Sequence, residues 1–500
     1  MRMSIGSFLA LLAAMWAAGP ASAQDTGAKN STGNWETASN WTGGAVPGSS
    51  NNVYIGSTYP SGAASTATVT LTANEAASNV YLGNGSGTSG TLDLGGKTLT
   101  IGNNLVIGQS GGTGVLNEGG GSFTATNAYV ENGNSLTFGA KDAVGYLELD
   151  SKSTATTAAS GNVTGGIDVL SGSTLTAGAD LKLSGTLNVE DSGSVLNMQN
   201  HNITADSVQF GYNGSTAVTL QNLGNITSTN LYIGNGMAFN LTSADSVTNF
   251  YLNEKATSTL TNNVSYLQLQ NGSSATTTSS GSATGGIDVL SGSTLTAGAD
   301  LKLTGTLNVE DSGSVLNMQN HNITADTVLF GYNGSTAVSV TDLGQVSLSS
   351  LYIGHATDLT LHGGDVIGNQ LTLSGNSILT VDQVGGTGLT LNGTSLSNLT
   401  IDPSSMDLIF TSTAPVSWDF RWKDPSSTQN WISTLDTMIT DGQIVLSGAT
   451  SYSVVDQNGY TYIEGFASQS VPEPSSIVLM CLAGTGMAAG AAWRRRRQGQ

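Results

Sequence analysis

The 500-residue chain holds one cysteine, Cys481, so no disulfide can form within it and its fold must be held by packing alone. Proline is almost as scarce, at 8 residues with none between Pro60 and Pro403, which argues against a string of β-sandwich domains joined by linkers. Basic residues are few. Residues 24–470 keep 9 of the 14 basic and 33 of the 34 acidic side chains, a net charge near −24, and nucleic acid is excluded as a partner because phosphate contacts need a basic surface. Histidine occurs four times, and His201 and His321 are one duplicated position in Gln-Asn-His-Asn. His355 and His362 lie apart from any cysteine or HExxH arrangement, so no metal-ligand pattern is present. Gly-rich stretches such as Gly111-Gly112-Thr113-Gly114 do not lead into helices, and no nucleotide or other cofactor is expected.

What the chain has instead is glycine, 66 residues, with abundant Ser, Thr and Asn, the composition of a turn-rich all-β array. The strongest internal signal is a duplication with a period of 120 residues, placed at about 143–262 and 263–382. Thr164 to Ala217 returns as Thr284 to Ala337 with changes only at Ser184/Thr304, Ser207/Thr327 and Gln209/Leu329. Inside each copy run short apolar alternations: Ile167-Asp168-Val169-Leu170, Leu181-Lys182-Leu183, Leu187-Asn188-Val189, Val195-Leu196-Asn197-Met198 and Val208-Gln209-Phe210. Each is bounded by Gly, Ser, Asn or Asp, which turn a chain cheaply. The same rhythm appears at Val53-Tyr54-Ile55-Gly56, Val80-Tyr81-Leu82-Gly83, Leu105-Val106-Ile107-Gly108 and Leu371-Thr372-Leu373, and it predicts an elongated parallel β-helix, or β-solenoid, over residues 24–400. One coil buries too little to stand alone, but coils stacked about 4.8 Å apart share one continuous core.

The two ends read differently. Arg2, the apolar run Phe8 to Ala18 and Ala21-Ser22-Ala23 have the order of a secretory signal, with residues 1–23 removed by cleavage after Ala23. After it come Asn34-Trp35, Asn40-Trp41, Gly43-Gly44 and Pro47. This segment resembles the opening motif of autotransporter-like and PEP-CTERM β-helix proteins, in which paired tryptophans cover the first coil. Asn51 or Asn52 stands where that family has an aspartate, and the expected cap residues are Trp35, Trp41, Gly44 and Pro47. A composition shift near Ile401, with Trp418-Asp419-Phe420-Arg421-Trp422, a helix-like stretch Trp431 to Ile439 and further strands to Ile463, marks residues 401–470 as a small β-rich C-terminal cap.

Residues 471–500 open with Val471-Pro472-Glu473-Pro474-Ser475, continue as an uncharged stretch to Trp493 and end in Arg494, Arg495, Arg496 and Arg497. The uncharged stretch is long enough for a transmembrane helix held by a cytoplasmic basic stop. The tail closely resembles the PEP-CTERM sorting signal of Gram-negative bacteria. That resemblance implies an exosortase-type sorting enzyme as partner, a transient stay in the inner membrane, and delivery to the cell surface or extracellular matrix, with exopolysaccharide as a candidate partner there.

A β-helix also serves many polysaccharide lyases and hydrolases, so the acidic residues need weighing. Arg421 is the one arginine between signal and tail and reads as a packing or salt-bridge residue. Asp168, Glu190 and Asp191 recur as Asp288, Glu310 and Asp311, and a catalytic site is rarely copied twice along one rod. Glu190-Asp191 and Glu310-Asp311 precede Ser-Gly and read as turn residues on the outside of a coil. The expectation is therefore an exported, non-catalytic structural or adhesive rod. The alternatives are a polysaccharide-active enzyme on the same fold and a carbohydrate-binding matrix protein without catalysis.

Overall fold

The computed structural model describes residues 24–212, 217–332, 337–354, 357–362, 365–374 and 378–382, and beyond these the segments 390–391, 394–395, 408–411, 417–423, 432–440, 451–457 and 460–466. The signal segment, the sorting tail and its uncharged stretch lie outside the described residues. Among the described residues no helix is long and apolar enough to cross a membrane.

The chain winds into an all-β, parallel β-solenoid of about 14 turns. In the first copy one coil places three strand segments, Leu181–Lys182, Thr186–Val189 and Val195–Asn197, before Ile203–Phe210 begins the next. The first two segments belong to one long sheet that bends between them, and the third belongs to shorter sheets on the remaining side. Successive rungs pair in parallel and in register, as in Leu147↔Ile167↔Leu187↔Val208↔Leu231↔Phe250↔Leu267. All seven of these side chains are fully buried. The two copies repeat the same register, Ile167↔Leu187↔Val208 in the first and Ile287↔Leu307↔Val328 in the second.

Residue choice follows from this winding. Along most strands the inward positions are Val, Leu, Ile, Phe or Ala and the outward ones mainly polar, with period two. Corners are lined by buried hydroxyls that take up backbone groups left by the turn. Ser153 Oγ donates to Asp150 O at 2.6 Å, and the amides of Ser153 and Gly172 donate to Ser173 Oγ and Ser194 Oγ, each at 3.1 Å. Outside, an amide ladder climbs the first coils: Asn52 Nδ2 donates to Asp25 Oδ1 and Asn79 Nδ2 to Asn52 Oδ1, both at 2.7 Å, and Asn127 Nδ2 to Asn104 Oδ1 at 2.9 Å.

The N-terminal end is closed by the tryptophan pair. Trp35 and Trp41 are both fully buried, with ring centroids 5.2 Å apart and planes at 69°. Trp41 Nε1 donates to Trp35 O at 2.7 Å and Trp35 Nε1 to Pro47 O at 3.3 Å, so neither indole leaves a buried donor unmet. Gly44 takes the left-handed conformation, φ +68°, at the turn between Trp41 and Pro47. Asn51 accepts from Gly48 N at 2.8 Å and donates to Gln24 O at 2.9 Å. An aspartate there would make only the first of these bonds.

Toward the other end, the region read as a separate cap first extends the solenoid. Leu408–Thr411 pairs in parallel with Leu371–Ser374, and Ser417–Lys423 in parallel with Ile378–Asp382. Only then does the pattern change, when the hairpin of Ser451–Gln457 and Tyr460–Phe466 pairs antiparallel onto Ser417–Lys423. The expected helix is present as Ile432–Thr440, while the expected strand at Ile444 to Leu446 lies outside the described residues.

Replacing Trp41 with Ala removes one of the two buried tryptophans under the first coil and opens the sheet end. The expected outcome is a loss of about 3–5 kcal/mol in urea denaturation, with concentration-dependent oligomers in light scattering because an open edge pairs with other chains.

Candidate functional site

One outer face differs from the others. The outward positions of the remaining two faces are largely hydroxylic, for example Thr154, Thr156, Thr174 and Thr176 on one and Thr100, Thr204 and Thr227 on the other. The third carries every tyrosine described between residues 24 and 367, and each touches another tyrosine ring. They form four clusters. Tyr54 stacks on Tyr81 at 4.6 Å and 6° and meets Tyr59 edge to face. Tyr129 meets Tyr146 at 6.1 Å. Tyr212, Tyr232, Tyr251 and Tyr266 run on in sequence, with Tyr232 and Tyr251 stacked at 4.5 Å, and Tyr332 meets Tyr352 at 4.9 Å. Sequence reading did not single these residues out. The signal was available in Val53-Tyr54-Ile55 and Leu231-Tyr232-Ile233, where a tyrosine between two inward aliphatics must point outward.

The acidic candidates lie on this same face. Asp168 is one rung above Glu148, and Tyr146, which folds over the bare Gly166, donates its hydroxyl to Asp168 Oδ2 and to Glu148 Oε2 at 3.1 Å. A Cβ on Gly166 would lie at ordinary contact distance, 3.6 Å, from the Tyr146 ring and at a tighter 3.1 Å from Thr186 O, so the next rung crowds this position more than the ring does. The second copy repeats the clamp, Tyr266 donating to Asp288 Oδ2 at 2.5 Å. Its next positions differ: Gln268 and Gln270 stand where the first copy has Glu148 and Asp150. Burial pushes Glu148 up to about 7, opposed by the Tyr146 hydrogen bond and reinforced by Asp168. Burial likewise raises Asp168, and raises Glu131 with help from Asp150. A second carboxyl pair lies at a neighbouring corner, where burial and Asp142 push Glu118 up to about 7.

Other candidates resolve individually. Asp191 is a turn residue as expected, at φ +67°, its Oδ2 accepting from Ser171 N at 3.2 Å. Glu310 departs from the expected outer turn: it is 2% exposed, because it continues the ladder with its amide donating to Val289 O at 2.9 Å before the turn begins. Burial first, then Tyr352 and Glu310, raise the Tyr332 phenol. His201 sits 3.7 Å from Asp180, and His321 3.7 Å from Asp300. Among the described residues no group of three or more His, Cys, Asp or Glu could hold a metal ion. His355, the signal-cleavage residues Ala21 and Ala23, the motif Val471 to Ser475 and the basic stop Arg494 to Arg497 lie outside the described residues.

The raised carboxyls predict a pH dependence. A carboxyl whose folded pKa exceeds its unfolded value binds more protons when folded, so stability falls as pH rises from about 4.5 to about 7. Glu148→Gln, the residue the second copy already has, removes this penalty. Urea denaturation is expected to show a gain of about 1–3 kcal/mol at pH 8 and almost none at pH 4.5.

No curated protein and no solved structure matches the chain. A family model does match its end: residues 470–497 fit the PEP-CTERM protein-sorting motif. That stretch contains the Pro472-Glu473-Pro474 motif, the uncharged segment and the arginine cluster in order. The chain is thus a β-solenoid carrying a PEP-CTERM sorting signal, which implies export, membrane-anchored transit and sorting by an exosortase.

Proposed function

We propose that the protein is a non-catalytic structural or adhesive rod, delivered by its sorting signal to the cell surface or extracellular matrix. The observation that carries this reading is the register of the duplication. Residues of the second copy continue the ladder of the first without a shift in pattern, so copying lengthened a rod. Asp168 and Asp288, the best acidic candidates, serve the same rung-to-rung clamp in both copies. The acidic surface keeps such a rod soluble once it leaves the membrane.

The rival reading, a polysaccharide lyase or hydrolase, draws on one observation: Glu148 is a carboxyl held near neutral pH beside a second carboxyl, as a general acid requires. Lyase and glycosidase assays on acidic and neutral polysaccharides separate the two. No turnover is expected, and turnover abolished by changing Asp168 together with Asp288 would overturn the structural reading. Delivery is tested by the mass of the C-terminus in the native host. The wild-type chain is expected to end before the uncharged segment, and a chain with Pro472, Glu473 and Pro474 replaced by Ala to stay full length in the inner membrane.

A further inference from the structure

We propose that the tyrosine-bearing face binds an extended, uncharged polysaccharide strand. The inference deepens the reading of the protein as a non-catalytic rod by naming what the rod holds.

The face has a pattern that the other two faces of the rod do without. Aliphatic columns inside and threonine columns outside carry the stacking everywhere else, yet the tyrosines are confined to one side from Tyr54 to Tyr352, a run on the order of 65 Å at one rung per 4.8 Å. In each of the four clusters at least one pair meets edge to face or nearly so, with planes at 80°, 63°, 61° and 77°, and every ring on the face except the buried Tyr54 keeps part of its surface exposed. Tyr59 is 45% exposed. Between the second and third clusters the same column carries hydrogen-bonding groups, Glu148, Asp168, Asn188 and Gln209, whereas Val106 separates the first two clusters and Leu329 precedes Tyr352. Asn188 and Asn308 each have a side-chain oxygen without a hydrogen-bond donor, and Asn308 is 9% exposed.

A pyranose ring presents C–H groups on its faces and hydroxyls at its rim. Aromatic faces alternating with amide and carboxyl groups meet both demands, as in small-molecule sites lined by aromatics with a few polar groups. A globular protein partner would need a patch that is broad in two directions, whereas this one is a single line of rungs. Charge then selects within the carbohydrates. The chain carries a net charge of −20, and the carboxyls on the stripe have no basic residue beside them in their column, so a polyanion is repelled. A repeating strand also suits a duplicated rod: the second copy offers the Tyr266–Asp288–Asn308 set about 29 Å beyond Tyr146–Asp168–Asn188, and two linked contacts on one polymer bind more tightly than either alone.

The test is affinity electrophoresis of the full-length chain in mild detergent through gels containing xyloglucan or hydroxyethylcellulose, with alginate as the anionic control. Retardation is expected in the uncharged gels and not in alginate. Tyr232→Ala combined with Tyr251→Ala is expected to weaken it at least tenfold. Tyr59→Ala, which alters an exposed ring, gives a smaller loss in a chain whose circular dichroism is unchanged. No retardation by either uncharged polymer, retardation by alginate alone, or retardation indifferent to all three tyrosines overturns the proposal. Those outcomes leave the C-terminal processing and turnover assays as they were, so the rod reading stands or falls separately.

Discussion

Parallel, in-register stacking is the constraint on which everything else in this protein depends. Every residue meets, about 4.8 Å above and below, the residue at the same place in the neighbouring coil. A side chain is therefore acceptable only if it tolerates something like itself as its nearest neighbour. Aliphatics do, hence Leu187, Val208 and Leu231 in one column. Amides do, because each both donates and accepts, hence the ladder Asn79, Asn52, Asp25. Tyrosines do, through ring contacts worth about 0.5–1.5 kcal/mol a pair. Like charges do not. The chain's 10% content of charged residues follows from the geometry as much as from any property of the surface.

Seen this way, the carboxyls of the first copy are the exception. Glu148 and Asp168 occupy adjacent rungs of one column, with Asp150 two residues beyond Glu148 and Glu131 two residues beyond Tyr129 on the rung below. The second copy gives an internal comparison, since Gln268 and Gln270 relieve the repulsion there while Asp288 keeps its tyrosine. The same backbone thus carries a more acidic and a less acidic version of one surface, and in the more acidic one burial holds Glu148 and Asp168 above their ordinary values.

Much of the fold was legible because the stacking rule writes itself into the strands with the most aliphatic character. Leu187-Asn188-Val189 and Val195-Leu196-Asn197 are read as strands at sight and are strands. Thr154–Thr157 and Ser274–Thr277 escaped notice, because their inward side chains include only Ala155 and Ala275 as apolar residues and threonine on both faces hides the alternation. The tryptophan cap was readable from Trp35, Trp41 and Pro47, which the structure joins by two indole hydrogen bonds. Tyr146 and Asp168 lie 22 residues apart and become neighbours only after one full coil, so the clamp could not be seen before the winding was known. Glu310 was misplaced for a related reason: a glutamate before Asp-Ser-Gly looks like the start of a turn, but the ladder runs one residue further.

The duplication has a consequence for how such a molecule can vary. From Tyr146 to the matching Tyr266 the chain climbs a whole number of rungs and returns to the same place on the same face. A genetic event that adds or removes one such block leaves every column aligned, creates no new edge and needs no compensating change. Length is then a heritable quantity that moves in steps of about 29 Å, and a lineage can retune its reach by unequal exchange while the cap at one end and the address at the other stay untouched.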